Sequence, residues 1–174
     1  IHCGLVGSEM CIRDSDIIIY NVPSRTGSNI SAKTTLKLAN KFKNIVAIKE
    51  ASGDMIQIME IIKNSPKKFS VISGDDVITL PMIFLGAIGV ISVVAMARPI
   101  EFSNMVNYAL NKNYEDAKKI HYSLIELCHH IFAEGNPAGI KSSLKLLGIC
   151  ESNLRLPLVN ICLLYTSDAA DEVS

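Results

Sequence analysis

The stretch NIVAIKE (Asn44–Glu50) is a continuous run of apolar, mostly β-branched residues that ends in a charged pair. Alternation of apolar and polar residues would indicate a strand with one face in water, whereas a continuous run is typical of a strand buried on both faces. Strands of this kind belong to parallel sheets covered by helices. The stretch therefore predicts a central strand of an α/β fold, with Lys49 at its carboxyl end.

Three further runs of the same kind predict three more strands. They read DIIIYNV (Asp16–Val22), FSVISG (Phe69–Gly74) and GVISVV (Gly89–Val94). The four runs begin at residues 16, 44, 69 and 89, a spacing that leaves room for one helix between neighbours. This is the repeat of βα units that build a parallel sheet.

Segments of helical period separate the strands, and only helices follow the last one. Ser31 and Asp54 stand where N-cap residues are expected, and Asp76 is placed to cap the third helix. The predicted helices are Ser31–Phe42, Asp54–Lys63, Val77–Leu85, Pro99–Leu110, Tyr114–Ala133 and Pro137–Leu147.

Composition excludes several classes of protein. Hydrophobic residues make up 49% and charged residues 20%, which is the balance of a folded domain and not of a disordered chain. The 17 basic residues equal the 17 acidic ones, so no basic excess favours nucleic-acid binding. The five cysteines lack CxxC spacing, which argues against a zinc site and a disulfide framework. Cys128 and Cys150, as unpaired thiols, fit a reducing cytoplasm.

The stretch Val77–Ala97 contains no charged residue and is long enough to span a bilayer. Pro81, Gly86 and Gly89 interrupt it, and the segment that follows Gly89 favours a strand. A buried helix, a turn and a central strand therefore explain the stretch better than a membrane span, and no membrane partner is expected.

The two ends of the chain resemble translated adapter DNA of the transposase type used in sequencing libraries. They read LVGSEMCIRDS (Leu5–Ser15) and CLLYTSDAADE (Cys162–Glu172). A back-translation of Met10–Ser15 has a reverse complement that encodes Cys162–Thr166, so both ends are readable as one DNA element in opposite orientations. We expect residues 1–15 and 161–174 to be adapter-derived tails and leave them out of the fold prediction.

Candidate catalytic residues stand at the carboxyl ends of the predicted strands, where active sites of parallel α/β folds gather. Lys49 ends an apolar run, and a lysine that loses water of hydration there favours the neutral amine, which attacks carbonyl groups. Tyr20 ends the preceding run, where its phenol is placed to shuttle a proton. The ordinary alternatives are a lysine paired with Glu50 or extended to solvent, and a tyrosine buried in the core.

Arg25 is predicted at a pocket rim, in a turn formed by Pro23–Gly27, where a guanidinium suits a carboxylate substrate. Other chemistry-bearing residues form no recognisable site. Asp75 and Asp76 are adjacent, as are His129 and His130, so their side chains diverge, whereas metal ligands on one helix face need a spacing of three or four. No metal and no nucleotide site is predicted.

Five motifs stand out along the chain, namely YNVPSRTG (Tyr20–Gly27), AIKEASG (Ala47–Gly53), SGDD (Ser73–Asp76), GVISV (Gly89–Val93) and EGNPAGIK (Glu134–Lys141). Together they resemble the second half of the dihydrodipicolinate synthase family, and the resemblance covers residues 16–160. The arginine at position 25 points to the synthase branch of this superfamily of pyruvate-dependent aldolases. N-acetylneuraminate lyase and 2-keto-3-deoxy sugar-acid aldolases of the superfamily stay open as alternatives, as does a non-catalytic barrel that binds a keto acid.

The resemblance implies a (βα)8 barrel of which residues 16–98 are the second half, strands five to eight. Residues 99–160 would then be the last barrel helix and a C-terminal helical region. The resemblance also implies an enzyme of lysine and diaminopimelate biosynthesis. This enzyme would condense pyruvate with L-aspartate 4-semialdehyde to 4-hydroxy-tetrahydrodipicolinate, without a cofactor or metal. The family suggests a homodimer or tetramer in the cytoplasm.

The resemblance also assigns roles to residues of this chain. Lys49 would form the Schiff base with pyruvate, and Tyr20 would donate and accept the proton. Arg25 would hold the carboxylate of the semialdehyde, and the backbone of Ile91 would contact pyruvate. Met96 stands where the family usually carries asparagine. The other half of the family's site has no counterpart here, so we expect the chain to be inactive by itself.

Overall fold

The computed structural model describes residues 15–161. All but one residue of each predicted adapter-derived tail lies outside the described residues, so that prediction is untested. The six predicted helices are confirmed to within two residues at each end, and a short helix at Pro23–Thr26 joins them. In chain order the elements are β1 (Ile17–Asn21), α1 (Pro23–Thr26), α2 (Ala32–Lys41), β2 (Ile45–Glu50), α3 (Met55–Asn64), β3 (Ser70–Ser73), α4 (Thr79–Leu85), α5 (Pro99–Leu110), α6 (Tyr114–Ala133) and α7 (Ala138–Leu146).

The chain divides into two compact units. Among the described residues, the first contains residues 15–75 together with Leu85–Ile91, and the second contains Asp76–Phe84 and residues 92–161. Every residue with a predicted catalytic or substrate-binding role therefore belongs to the first unit.

The first unit is a parallel sheet in the order β1-β2-β3, as the strand spacing predicts. Helix α2 packs against β2 and α3, and α3 packs against β3. Both helices begin at the predicted caps: the Ser31 hydroxyl accepts the N–H of Thr34, and the Asp54 carboxylate accepts the N–H groups of Ile56 and Gln57. These bonds satisfy amide groups that have no partner within the helix.

The prediction of a fourth strand at Gly89–Val94 is largely wrong. The segment joins β3 through one bridge, between Ser73 and Val90, and is not a continuous strand. A 3-10 turn at Val94–Met96 ends it, because side chains supply partners for the amide groups there. The Ser92 hydroxyl accepts the N–H of Ala95. The Oδ2 atom of Asp76, which the sequence places as a cap of α4, accepts the N–H groups of Val93 and Val94 at 3.1 and 3.2 Å.

The second unit is helical, with α6 packed against α5 and α7. Its core contains side chains with at most 2% of their surface exposed, namely Phe102, Met105, Leu127, Cys128, Ile131 and Ile140. None of the helices described between residues 15 and 161 is both long and apolar enough to cross a membrane. The uncharged stretch Val77–Ala97 is broken after α4, as its proline and glycines predict.

Gly139 sets the approach of α7 to α6. A Cβ atom at this position would lie 2.0 Å from the carbonyl oxygen of Ile131, which is backbone and cannot rotate away. We therefore expect Gly139→Ala to lower the free energy of unfolding by about 3 kcal/mol, the upper part of the range for overpacked sites. Urea denaturation followed by circular dichroism measures this loss. Ser142→Ala, a small change in the same helix, is the control, and equal stability of the two variants would contradict the close packing.

Candidate active site

Tyr20 and Lys49 lie side by side at the carboxyl ends of β1 and β2. The two residues are direct partners in the parallel register, so their side chains leave the same face of the sheet. The Lys49 Nζ atom lies over the Tyr20 ring, 4.1 Å from its centroid. Half of the tyrosine (51%) is exposed, which excludes the alternative of a core tyrosine. A cation over an aromatic face at this distance is attracted to it, so the ring orients the ammonium of the resting protein.

Gly74 provides the space for the lysine chain. It follows β3, and a Cβ atom there would lie 3.0 Å from Cε and 3.1 Å from Cγ of Lys49. The same atom would lie 2.8 Å from the Cβ of Ala51. Any side chain at position 74 would therefore displace the lysine or the strand end. The glycine of the SGDD motif has a steric role that its sequence context alone does not reveal.

Glu50 does not pair with Lys49, which is one of the ordinary alternatives for that lysine. Its carboxylate is fully buried, with 0% of the residue exposed, and accepts its described hydrogen bonds from neutral donors. The Asn21 amide lies 2.9 and 3.1 Å from its two oxygens, the Ser52 N–H 2.9 Å and the Gln57 amide 3.3 Å. Lys49 and Glu50 are consecutive strand residues, so their side chains leave opposite faces of the sheet.

Arg25 is presented by the one-turn helix α1, directly after β1. The turn closes at Gly27, whose φ of 66° lies in the left-handed region that favours glycine and whose N–H donates to the Pro23 carbonyl. The hydroxyl of Thr26 donates to the carbonyl of Ser28 at 2.9 Å, which ties the turn to the loop that follows. The predicted turn is confirmed, and Arg25 is exposed on it.

Ile91 follows the Ser73–Val90 bridge, beside the end of β3, with 48% of its surface exposed. Its N–H donates to the Ser73 carbonyl at 3.0 Å. A backbone contact from Ile91 to a ligand must therefore use its carbonyl oxygen. Of the four predicted site residues, Tyr20 and Lys49 are in direct contact. Arg25 and Ile91 lie at carboxyl ends of the same sheet.

The sequence prediction missed the polar cluster on the opposite face of the strand ends, which we call the amide cluster: Asn21, Asn29, Glu50 and Gln57. Their positions in the sequence could have revealed the cluster, because Asn21 directly follows Tyr20 and Glu50 directly follows Lys49. Strand alternation then places them together on the other face. Among the described residues, no group of three or more histidine, cysteine, aspartate or glutamate side chains is arranged to hold a metal.

Comparison with known proteins agrees with this arrangement. The Dihydrodipicolinate synthetase family matches residues 10–173. The 4-hydroxy-tetrahydrodipicolinate synthase of Parabacteroides distasonis is 55% identical over 143 residues, which are 82% of this chain and 48% of the relative. The chain thus spans about half the length of the curated relatives it matches.

Solved structures show the same likeness. The dihydrodipicolinate synthase of Aquifex aeolicus matches with a TM-score of 0.88 and 44% identity, over 91% of this chain and 54% of that one. The chloride-inhibited dihydrodipicolinate synthase of Acinetobacter baumannii, solved in complex with pyruvate, matches with a TM-score of 0.87 and 34% identity, over 92% of this chain and 56% of that one. With three parallel strands, a lysine–tyrosine pair at their carboxyl ends and a family match across most of its length, this chain belongs to the dihydrodipicolinate synthetase family.

Proposed function

We propose that this chain carries the imine-forming half of a 4-hydroxy-tetrahydrodipicolinate synthase, a lyase of lysine and diaminopimelate biosynthesis. The observation that carries the proposal is the contact of Lys49 with Tyr20 at the carboxyl ends of adjacent parallel strands, 4.1 Å from nitrogen to ring centroid. This edge is where parallel α/β enzymes place their catalytic residues. An amine and a phenol in contact there supply a nucleophile and a proton carrier.

The residues support a sequence of steps in which atoms and electrons balance without a cofactor. The ammonium of Lys49 first loses a proton to solvent, and the neutral amine then attacks the keto carbon of pyruvate. Loss of water yields an imine. The protonated imine draws electrons from the neighbouring methyl group, which loses a proton to give an enamine. The enamine carbon attacks the aldehyde of L-aspartate 4-semialdehyde. The amine of that substrate then attacks the imine carbon, which closes the ring and releases Lys49.

In this proposal Tyr20 carries protons to and from the intermediates, and Arg25 binds the carboxylate of the semialdehyde. A guanidinium suits that task because its N–H groups match the two oxygens of a carboxylate. The carbonyl oxygen of Ile91 contacts pyruvate, since the N–H of that residue is already bonded to Ser73. The Acinetobacter baumannii relative, solved with pyruvate, supports the choice of keto acid.

We further propose that the three strands and the Ser73–Val90 bridge correspond to strands five to eight of a (βα)8 barrel. The coverage of the relatives, close to half of their length, supports this. The whole enzyme is then a homodimer or tetramer in the cytoplasm, a compartment that the free thiols of Cys128 and Cys150 suit.

Borohydride trapping tests the proposed function. Pyruvate and sodium borohydride are added to the purified chain and, in a second arm, to the chain co-expressed with the N-terminal half of the Parabacteroides distasonis relative. Reduction of the imine leaves one stable adduct on a lysine, which peptide mass spectrometry assigns to position 49. We expect the adduct on Lys49, and turnover with the semialdehyde in the co-expressed arm. Absence of a Lys49 adduct in both arms, with circular dichroism showing folded protein, would overturn the proposal.

A further inference from the structure

The amide cluster joins the two strands that carry the catalytic pair. Asn21 and Glu50 are direct partners in the register, one position after Tyr20 and Lys49. The single amide group of Asn21 donates to both carboxylate oxygens of Glu50, at 2.9 and 3.1 Å. Both residues are buried, with 3% and 0% of their surfaces exposed. A buried carboxylate is costly unless its oxygens accept hydrogen bonds, so this contact strongly constrains both strand ends.

The cluster also holds the loop that follows the Arg25 turn. The Asn21 amide donates to Asn29 at 2.8 Å, and the Asn21 side-chain oxygen accepts the N–H of Ile30 at 3.2 Å. Asn29 and Gln57 exchange two hydrogen bonds, at 3.0 and 3.2 Å, and Gln57 also donates to Glu50. One buried carboxylate is thus the common acceptor for β1, for helix α3 and, through Asn21, for the loop after α1.

We propose that Glu50 is a positioning residue for the imine lysine, acting through Asn21 and the strand ends and without touching the substrate. Strand residues that are neighbours in sequence share a rigid backbone, so fixing Glu50 against Asn21 also fixes Lys49 against Tyr20 on the opposite face. The contact between Nζ and the tyrosine ring depends on that register, because a shift of either strand end moves the two side chains apart. The expected effect of Glu50 on catalysis rests on the proposed function. The position of the Lys49 side chain, which Glu50 sets, is measurable without any enzyme activity.

The direction of the hydrogen bonds makes the proposal testable by an exchange of side chains. In Glu50→Gln, the remaining oxygen accepts the N–H of Ser52, and the new NH2 group stands where Oε2 accepted from Asn21 and Gln57. Donor then meets donor at that position, and these two hydrogen bonds are lost. In Asn21→Asp, two carboxylates face each other and repel. In the double variant, the amide introduced at position 50 donates to the carboxylate introduced at position 21. The oxygen of the new glutamine keeps the N–H of Ser52, and the carboxylate introduced at position 21 keeps the N–H of Ile30. The side-chain amides of Asn29 and Gln57 then turn over, so that Asn29 donates to position 21 and Gln57 accepts from position 50.

The first readout is the position of Lys49 itself. Because Nζ lies over the Tyr20 ring, we expect the ring to shift the ε-methylene resonance of Lys49 upfield. This signal is followed in protein with carbon-13-labelled lysine and assigned by its loss in Lys49→Arg. We expect Glu50→Gln to move the signal at least halfway to that of exposed lysines, and the double variant to return it. Ile61→Val, a buried change on the same helix as Gln57, is the control for lowered stability and leaves the signal in place.

The second readout is the rate of borohydride trapping at saturating pyruvate. We expect a fall of at least tenfold in Glu50→Gln and recovery to within about threefold in the double variant. If Glu50→Gln does not fold, Asn29→Ala provides the test, because it removes the outer partner of both amides and leaves Glu50 in place. It should move the Lys49 signal partway. A folded variant of either kind that melts at a lower temperature but keeps the Lys49 signal and the trapping rate would overturn the positioning role.

The two proposals fail in different ways. If the unsubstituted protein forms no adduct, the proposed function fails, and the resonance of Lys49 still decides whether Glu50 positions it. If the adduct forms and the resonance ignores Glu50, the positioning role alone is wrong.

Discussion

Lys49→Arg is expected to abolish the pyruvate adduct and to lower turnover in the co-expressed arm by about four orders of magnitude or more. A guanidinium stays protonated at any pH at which the protein is folded, so it is not a nucleophile toward the keto group. The replacement keeps the positive charge over the Tyr20 ring, because arginine makes the same kind of contact with an aromatic face. The loss is therefore chemical and not a loss of structure, and adduct mass together with circular dichroism separates the two.

Lys43→Arg is the matched control, since Lys43 is an exposed lysine just before the same strand and its replacement is expected to leave the adduct intact. Tyr20→Phe separates the two partners of the catalytic pair. It keeps the ring below Lys49 and removes the hydroxyl, so the imine should still form while the later proton transfers slow. If Lys49→Arg formed the pyruvate adduct on another lysine and still turned over the substrates, the assignment of Lys49 would be wrong.

Arg25→Ala is expected to lower kcat/KM for L-aspartate 4-semialdehyde by about 100-fold, with little effect on the pyruvate adduct. Removing the charged donor from its hydrogen bonds with a carboxylate costs about 3 kcal/mol of binding free energy, which corresponds to a factor of about 100. Arg25 is exposed on its one-turn helix, so its loss should leave the fold intact. Steady-state kinetics in the co-expressed arm, with the semialdehyde varied at saturating pyruvate, measures the effect.

Two further variants sharpen this result. Arg25→Lys keeps the charge but loses the paired donors, and an intermediate rate would show that the forked geometry contributes to binding. Arg155→Ala removes an exposed arginine of the second unit and is expected to change the use of neither substrate. If Arg25→Ala used the semialdehyde as well as the unsubstituted protein does, a keto-sugar-acid aldolase of the same superfamily would become the better interpretation.

Much of the fold follows from local patterns along the chain. The continuous run that ends at Lys49 becomes β2, and Ser31 and Asp54 cap the helices they precede. These features are local because strand burial and helix capping depend on residues close in sequence. The fourth run differs from its prediction because a partner distant in sequence decides it: the carboxylate of Asp76 accepts amide groups 17 and 18 residues later and turns the chain after Ile91.

The catalytic pair shows the same division. Lys49 and Tyr20 are identifiable because each ends an apolar run and because the surrounding motifs resemble a family, which says what each side chain is for. Sequence could not supply the register that puts Nζ over the ring, the space that Gly74 leaves for the lysine chain, or the neutral donors around Glu50. The reason is physical: composition and order determine which residues lie at strand ends, whereas the pairing of strands distant in sequence determines which of them touch.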